Sequence, residues 1–267
     1  RMVKGTVMVP HSIMKLPWWG MREKPVKKKK KREPRKKYLI DHVVLDPGHG
    51  GRDKGAIGTS GLLEKDLVLA VCKDLKKELE HRGMTVELSR TDDFFVSLAD
   101  RAKMANDTDA DLFISIHANA HPSPRAHGFE IFYLSDFIPD KKRAAEMIKE
   151  TEEKKENKRV IPEKYQKNPA LWSNSLSEHR REAIELGKCI DRSVRKKRII
   201  SHRGIKAANF YVLKWIDKPS VLIELGFLTN SNEERNLKNP AYKKTLLQSI
   251  VLGIVEYRKK YEKKYSA

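Results

Sequence analysis

What most limits how this chain can fold is an alternation that begins at Tyr38: short apolar runs bounded by Gly, Pro or Asp, separated by longer stretches of helical period. The runs at 43–46, 85–89, 112–116, 129–133, 210–213 and 221–225 read as strands. The stretches at 64–82, 98–106, 144–158, 176–197 and 241–260 read as helices. Strands that alternate with helices favour an α/β fold, so residues 39–267 are expected to form a single domain with a mostly parallel twisted sheet covered by helices on both faces. In such sheets functional groups gather at the carboxyl ends of the strands.

Residues 1–38 follow another rule. They hold 14 Lys and Arg against 2 Glu, so +12 of the formal net charge of +20 lies there and only +8 on the other 229 residues. The basic run 27–32, flanked by Pro25 and Pro34, reads as a flexible arm or linker. With 39% hydrophobic residues the rest of the chain can fill a sizeable core. No apolar run reaches the roughly 20 residues a membrane helix needs. Cys72 and Cys189 have the spacing of neither a disulfide framework nor a zinc knuckle and read as buried apolar residues. The segment 136–174 is highly charged and longer than a compact connection needs, which makes it functional or disordered.

Four residues could carry chemistry. His49 follows the apolar run Val43-Val44-Leu45 in the turn Asp46-Pro47-Gly48-His49-Gly50-Gly51, and His117 leaves the run Leu112-Phe113-Ile114-Ser115-Ile116 at its carboxyl end. Glu64 opens a helix, where a carboxylate is also electrostatically favoured. Glu224 is an ionisable group inside the apolar run Val221-Leu222-Ile223-Glu224-Leu225, and a buried carboxylate needs a partner or a task. Two His and one carboxylate with an open position make a catalytic zinc site, and a second carboxylate nearby can move protons. Taken singly, the histidines also fit hydrogen-bonded turn residues, Glu64 a helix-start charge and Glu224 a salt-bridged core residue. His121 and His127, in the loop after His117, read as solvated.

At these same residues the chain resembles the zinc-dependent N-acetylmuramoyl-L-alanine amidases, bacterial cell-wall hydrolases with an α/β fold. The resemblance spans Val43 to about Tyr257 and rests on four blocks in the family's order. They are Leu45-Asp46-Pro47-Gly48-His49-Gly50-Gly51, Gly61-Leu62-Leu63-Glu64-Lys65-Asp66, Ser115-Ile116-His117-Ala118-Asn119 and Glu224-Leu225-Gly226-Phe227-Leu228-Thr229-Asn230. Ser89-Arg90-Thr91-Asp92, Leu98-Ala99-Asp100-Arg101 and Arg203-Gly204-Ile205-Lys206, the last expected ahead of the penultimate strand, are similar too. The resemblance implies that His49, Glu64 and His117 hold zinc and that Glu224 is the catalytic carboxylate. It implies a peptidoglycan hydrolase that cuts the amide between N-acetylmuramic acid and L-alanine of the stem peptide. It also implies an exported protein of the periplasm or cell envelope, although no leader stands at the start of the sequence.

In the cell-division amidases of Gram-negative bacteria, the segment corresponding to 136–174 carries a helix that covers the zinc site until an activator protein displaces it. Glu146, Glu150 and Glu153 are candidates for such a plug, with a solvated charged helix as the alternative. The arm does not look like the family's usual targeting domain, and its expected partners are anionic wall polymers or a membrane surface. Three rival readings remain: a zinc peptidase cutting within the stem peptide, a wall-binding module with a dead site, and a basic nucleic-acid-binding protein. The last is unfavoured, since charge alone supports it and most of that charge belongs to the arm.

Overall fold

The computed structural model of the chain describes residues 39–135, 162–166 and 168–265. The expected arm 1–38 and the expected helix 144–158 lie outside the described residues, as does most of the segment 136–174. Six strands form one sheet: β1 (His42–Pro47), β2 (Thr85–Leu88), β3 (Leu112–Asn119), β4 (Phe129–Leu134), β5 (His202–Ala208) and β6 (Ser220–Phe227). Their order is β2-β1-β3-β6-β4-β5. Every pairing is parallel except that of β4 with β6, so β4 and β5 run against the other four. The helices are α1 (Glu64–Glu80), α2 (Leu98–Asp107), α3 (Glu163–Gln166), α4 (Pro169–Arg195), α5 (Tyr211–Lys214), α6 (Ser231–Lys238) and α7 (Pro240–Tyr265).

Successive side chains of a strand point to opposite faces, and here each face has its own core. Val43, Leu45, Ile114, Ile116, Val221 and Ile223 pack toward Leu75 of α1, Leu186 of α4 and Ile250 of α7. Val44, Phe113 and Leu222 turn the other way, toward Ala102 of α2, Trp172 of α4 and Leu213 of α5. Strands covered on both sides need apolar residues at every position, which is why β1, β3 and β6 read as continuous runs. Cys72 and Cys189 are free thiols buried in the first core.

The structure moves two elements. The run 210–213, expected as a strand, instead starts α5, with Phe210 at the N-cap, and its Val212 and Leu213 fill the second core. The penultimate strand is instead β5, with the sequence His-Arg-Gly-Ile-Lys-Ala-Ala. It lies at the sheet edge with exposed or half-buried residues, so nothing selects an apolar pattern that the sequence could show. Helix α4 also starts earlier than the expected residue 176. Pro169 sits in its first turn, and the Asn168 side chain accepts the Leu171 amide at 3.3 Å. Asn230 caps α6 in the same way by accepting from the amides of Asn232 and Glu233.

The turn that leaves β1 is clasped by two buried arginines. From α2, Arg101 donates through Nη1 to Asp46 Oδ1 at 2.5 Å and to the Pro47 carbonyl at 2.7 Å, and through Nη2 to the His49 carbonyl at 2.6 Å. Arg90, just past β2, donates to the carbonyls of Pro47, Gly48 and Lys65 at 3.1, 2.8 and 2.7 Å. Asp46 also accepts from the hydroxyls of Ser89 and Ser115. Burial alone would raise the Asp46 pKa, but the Arg101 charge and these hydrogen bonds hold it below its ordinary value. A fully buried pair of this kind is tolerated only when every remaining donor and acceptor is satisfied. Arg101→Met leaves the carboxylate unpaired and should lower the unfolding free energy by about 3 kcal/mol or more in a urea titration. A loss no larger than that of an exposed ion pair, under about 1 kcal/mol, would show that the clasp does not hold the fold.

Candidate metal centre

The turn after β1 places His49 at the carboxyl edge of the sheet with φ at 57°, a left-handed conformation uncommon for a residue with a Cβ. Arg101 holds its carbonyl, and its Nδ1 lies 2.8 Å from Asp53 Oδ2. That contact turns Nε2 inward, 3.1 Å from Glu64 Oε1. His117, near the end of β3, brings its Nδ1 to 2.9 Å from the same oxygen. The two rings stand nearly perpendicular, 5.0 Å apart between centroids. A Cβ on residue 48 would lie 2.2 Å from His117 Cε1, so only glycine lets the turn pass against that ring.

Glu64 is the first residue of α1 and is buried. Its Oε2 accepts the Ala56 amide at 2.7 Å and its Oε1 the Ala118 amide at 3.0 Å. Burial alone would raise its pKa, but hydrogen bonds and charge from His117 and His49 hold it well below the ordinary carboxylate range. Burial would likewise lower the His49 pKa, yet Glu64 and then Asp53 raise it above its ordinary value. One ligand atom from each of His49, Glu64 and His117 lies within 4.8 Å of the others. Two imidazoles and an anionic carboxylate form a donor set suited to zinc, and a carboxylate behind a ligating histidine is the usual way to fix its orientation. The residues present therefore fit a metal.

Glu224 completes the group. It lies on β6 in register with His117. It is 8% exposed, and its Oε2 is buried without a hydrogen-bond partner among the described residues. Burial, followed by the negative charges of Glu64 and Glu130, pushes its pKa well above the ordinary value. The structure thus brings together all four residues singled out in the sequence. His121 and His127 are exposed and serve their own loop: His121 Nδ1 accepts the Ser123 amide, and His127 Nδ1 lies 2.8 Å from the Arg125 carbonyl.

Two neighbours escaped the sequence reading. Asp53, which orients His49, carries no local signal beyond following it by four residues. Glu130 does carry one, an ionisable residue between Phe129 and Ile131 in a strand, the same sign that singles out Glu224. It is 2% exposed and stands in register opposite Glu224.

Residues 43–256 match a family described as N-acetylmuramoyl-L-alanine amidase. Over 218 residues, the chain is 34% identical to the N-acetylmuramoyl-L-alanine amidase AmiA of Escherichia coli (strain K12), covering 80% of this chain and 75% of that protein. It is 36% identical over 216 residues to the N-acetylmuramoyl-L-alanine amidase LytC of Bacillus subtilis (strain 168), covering 80% of this chain and 35% of that one. The N-acetylmuramoyl-L-alanine amidase from Clostridium difficile 630 has a similar structure, with a TM-score of 0.63 and 31% identity over 82% of this chain and 97% of that one. So does the CwlD amidase from Clostridioides difficile, solved in complex with the GerS lipoprotein, with a TM-score of 0.62 and 27% identity over 82% of this chain and 99% of that one. The matched stretch holds the sheet and the converging His, Glu and His side chains alike, and the chain belongs to the N-acetylmuramoyl-L-alanine amidase family.

Proposed function

We propose that the chain hydrolyses peptidoglycan at the amide joining the lactyl group of N-acetylmuramic acid to L-alanine of the stem peptide, with zinc held by His49, Glu64 and His117. The observation that carries this reading is the convergence of three ligand atoms within 4.8 Å, with a buried carboxylate oxygen on the neighbouring strand that has no hydrogen-bond partner among the described residues. Family membership supports the choice of bond, since a metal alone does not distinguish one amide from another. When bound, zinc supplies the Lewis acidity that polarises an amide carbonyl and eases deprotonation of water.

The protein's own groups do the rest. Asp53 keeps the His49 imidazole turned so that Nε2 faces the centre. Glu64 stays ionised because both imidazoles and two backbone amides point at it. Glu224 works as the proton carrier, taking a proton from water on Oε2 and delivering it to the departing amine of L-alanine. Its raised pKa makes it a stronger base than an exposed carboxylate and suits both halves of that transfer. Two carboxylates whose surroundings drive their pKa values apart divide the acid and base work between them. No covalent intermediate is required.

Peptidoglycan lies outside the cytoplasmic membrane, so the same reading puts the chain in the periplasm or cell envelope, with cell division among the processes it serves. The CwlD amidase was solved in complex with the GerS lipoprotein, which supports an activator protein here. The segment 136–174 is the natural target of such a partner. Its described carboxyl-terminal part is docked on the domain, with Tyr165 and Trp172 rings 5.0 Å apart and Tyr165 Oη donating to Asp217 Oδ1 at 2.8 Å. The basic residues 1–38 would tether the enzyme to anionic wall polymer or a membrane surface.

Four measurements test this reading. Glu224→Gln should retain zinc by metal analysis and release stem peptide from purified peptidoglycan at least about a hundredfold more slowly; release at the wild-type rate would remove Glu224 from the mechanism. His117→Ala, or chelation of the wild type, should abolish both bound zinc and activity, and zinc should restore activity to the chelated wild type but not to the variant. The freed peptide should begin with L-alanine, whereas a start further along the stem would identify a peptidase. Finally, deletion of 144–158 should raise basal activity if the segment covers the site, and unchanged activity in a folded protein would argue that it does not.

A further inference from the structure

Beyond Glu224 the sheet carries a second arrangement of charged groups. The Glu130 side chain is 3% exposed, and its Oε1 accepts from Asn119 Nδ2 at 2.9 Å. Its Oε2 meets two cations from the edge strand β5, Arg203 Nε at 3.0 Å and Lys206 Nζ at 2.5 Å. Residues three apart on a regular strand point to opposite faces, so both should not reach one oxygen. A bulge makes it possible. The register passes from Phe129 with His202 to Glu130 with Gly204, which leaves Arg203 as the extra residue, and Gly204 takes φ at +77°. Bulges of this kind re-aim side chains and are common beside active sites.

Among the described residues two positive charges answer the one negative charge of Glu130, so the cluster keeps a surplus. The Arg203 and Lys206 side chains remain 40% and 39% exposed. Aromatic faces support both: the Arg203 guanidinium lies 5.2 Å from the Phe227 ring centre and Lys206 Nζ 5.9 Å from that of Phe132. Arg203 Nη1 reaches the His127 carbonyl only at 3.4 Å. Donor capacity is therefore left over on the solvent side.

The position of the cluster relates it to the reaction. His117 on β3, Glu224 on β6, Glu130 on β4 and the two cations on β5 follow one another across neighbouring strands. In the proposed reaction the acyl carbon sits over the His49, Glu64 and His117 group on the β1 and β3 side and the leaving amine beside Glu224 on β6, and a substrate that continues in the same direction carries its peptide half toward β4 and β5. The stem peptide is acidic, because its isoglutamate residue keeps an α-carboxylate unless it is amidated. We propose that Arg203 and Lys206, set on one face by the bulge at Gly204, form the subsite that binds this carboxylate of the stem peptide. The proposal rests on the amidase reading given above.

The test compares two N-acetylmuramoyl peptides, one with the isoglutamate carboxylate free and one with it as a primary amide, on the zinc-loaded full chain. The wild type should favour the free carboxylate by about tenfold in kcat/KM, chiefly through KM, as charge-assisted hydrogen bonds require. The Kd of the corresponding released peptides should show the same preference without turnover. Lys206→Met and Arg203→Gln should each reduce the preference, and the double variant should abolish it. A wild type indifferent to amidation, or a preference that survives in the double variant, overturns the subsite. Failure of the wild type to cut either substrate between the lactyl group and L-alanine instead overturns the amidase reading beneath it.

Discussion

A carboxylate buried at the end of β1 meets a guanidinium from α2, and the geometry of the sheet's carboxyl edge follows from how that charge is neutralised. Arg101 has more donors than Asp46 can use, and it spends the rest on the carbonyls of Pro47 and His49. Arg90 takes the carbonyls of Pro47 and Gly48 and that of Lys65 in α1. The turn is thereby tied to two other elements, which is what keeps His49 in a strained left-handed conformation. Without these ties the imidazole would lose both its position and its distance to Glu64.

The site itself is a problem of three carboxylates in close quarters. Glu64 resolves its charge by facing two imidazoles and two backbone amides. Glu130 resolves its charge with Arg203 and Lys206. Glu224, next to Glu130 in the sheet, has neither among the described residues, and it carries the penalty of burial together with the repulsion of the other two. A group left in that condition binds a proton readily, and that is the property the proposed proton transfer requires of it.

Legibility differed from element to element for physical reasons. Strands β1, β3 and β6 announce themselves because both faces are covered, and a continuous apolar run is the only composition that satisfies two cores. Edge strand β5 does not, since its exposed residues answer to the bulge and to Glu130 rather than to a core. The run 210–213 is apolar for packing in the second core, and apolar character alone does not distinguish a short helix from a strand. Glu130 was readable by the rule that singles out Glu224, whereas Asp53 was not, because its task exists only once the turn is closed.

What the sequence determined by itself was the alternation of elements and the α/β class, and it singled out His49, Glu64, His117 and Glu224 as candidates, each marked by residue type against a local pattern. Tertiary structure alone decided which atoms meet. Glu64 and His117 are separated by 53 positions and come within 2.9 Å through the pairing of β1 with β3 and the packing of α1. Arg203 and Lys206 lie 73 and 76 positions from Glu130 and share one of its oxygens only because β5 bulges. Local patterns record what each segment buries, but a charge's partner is set by strand order and register, and neither is written in any single segment.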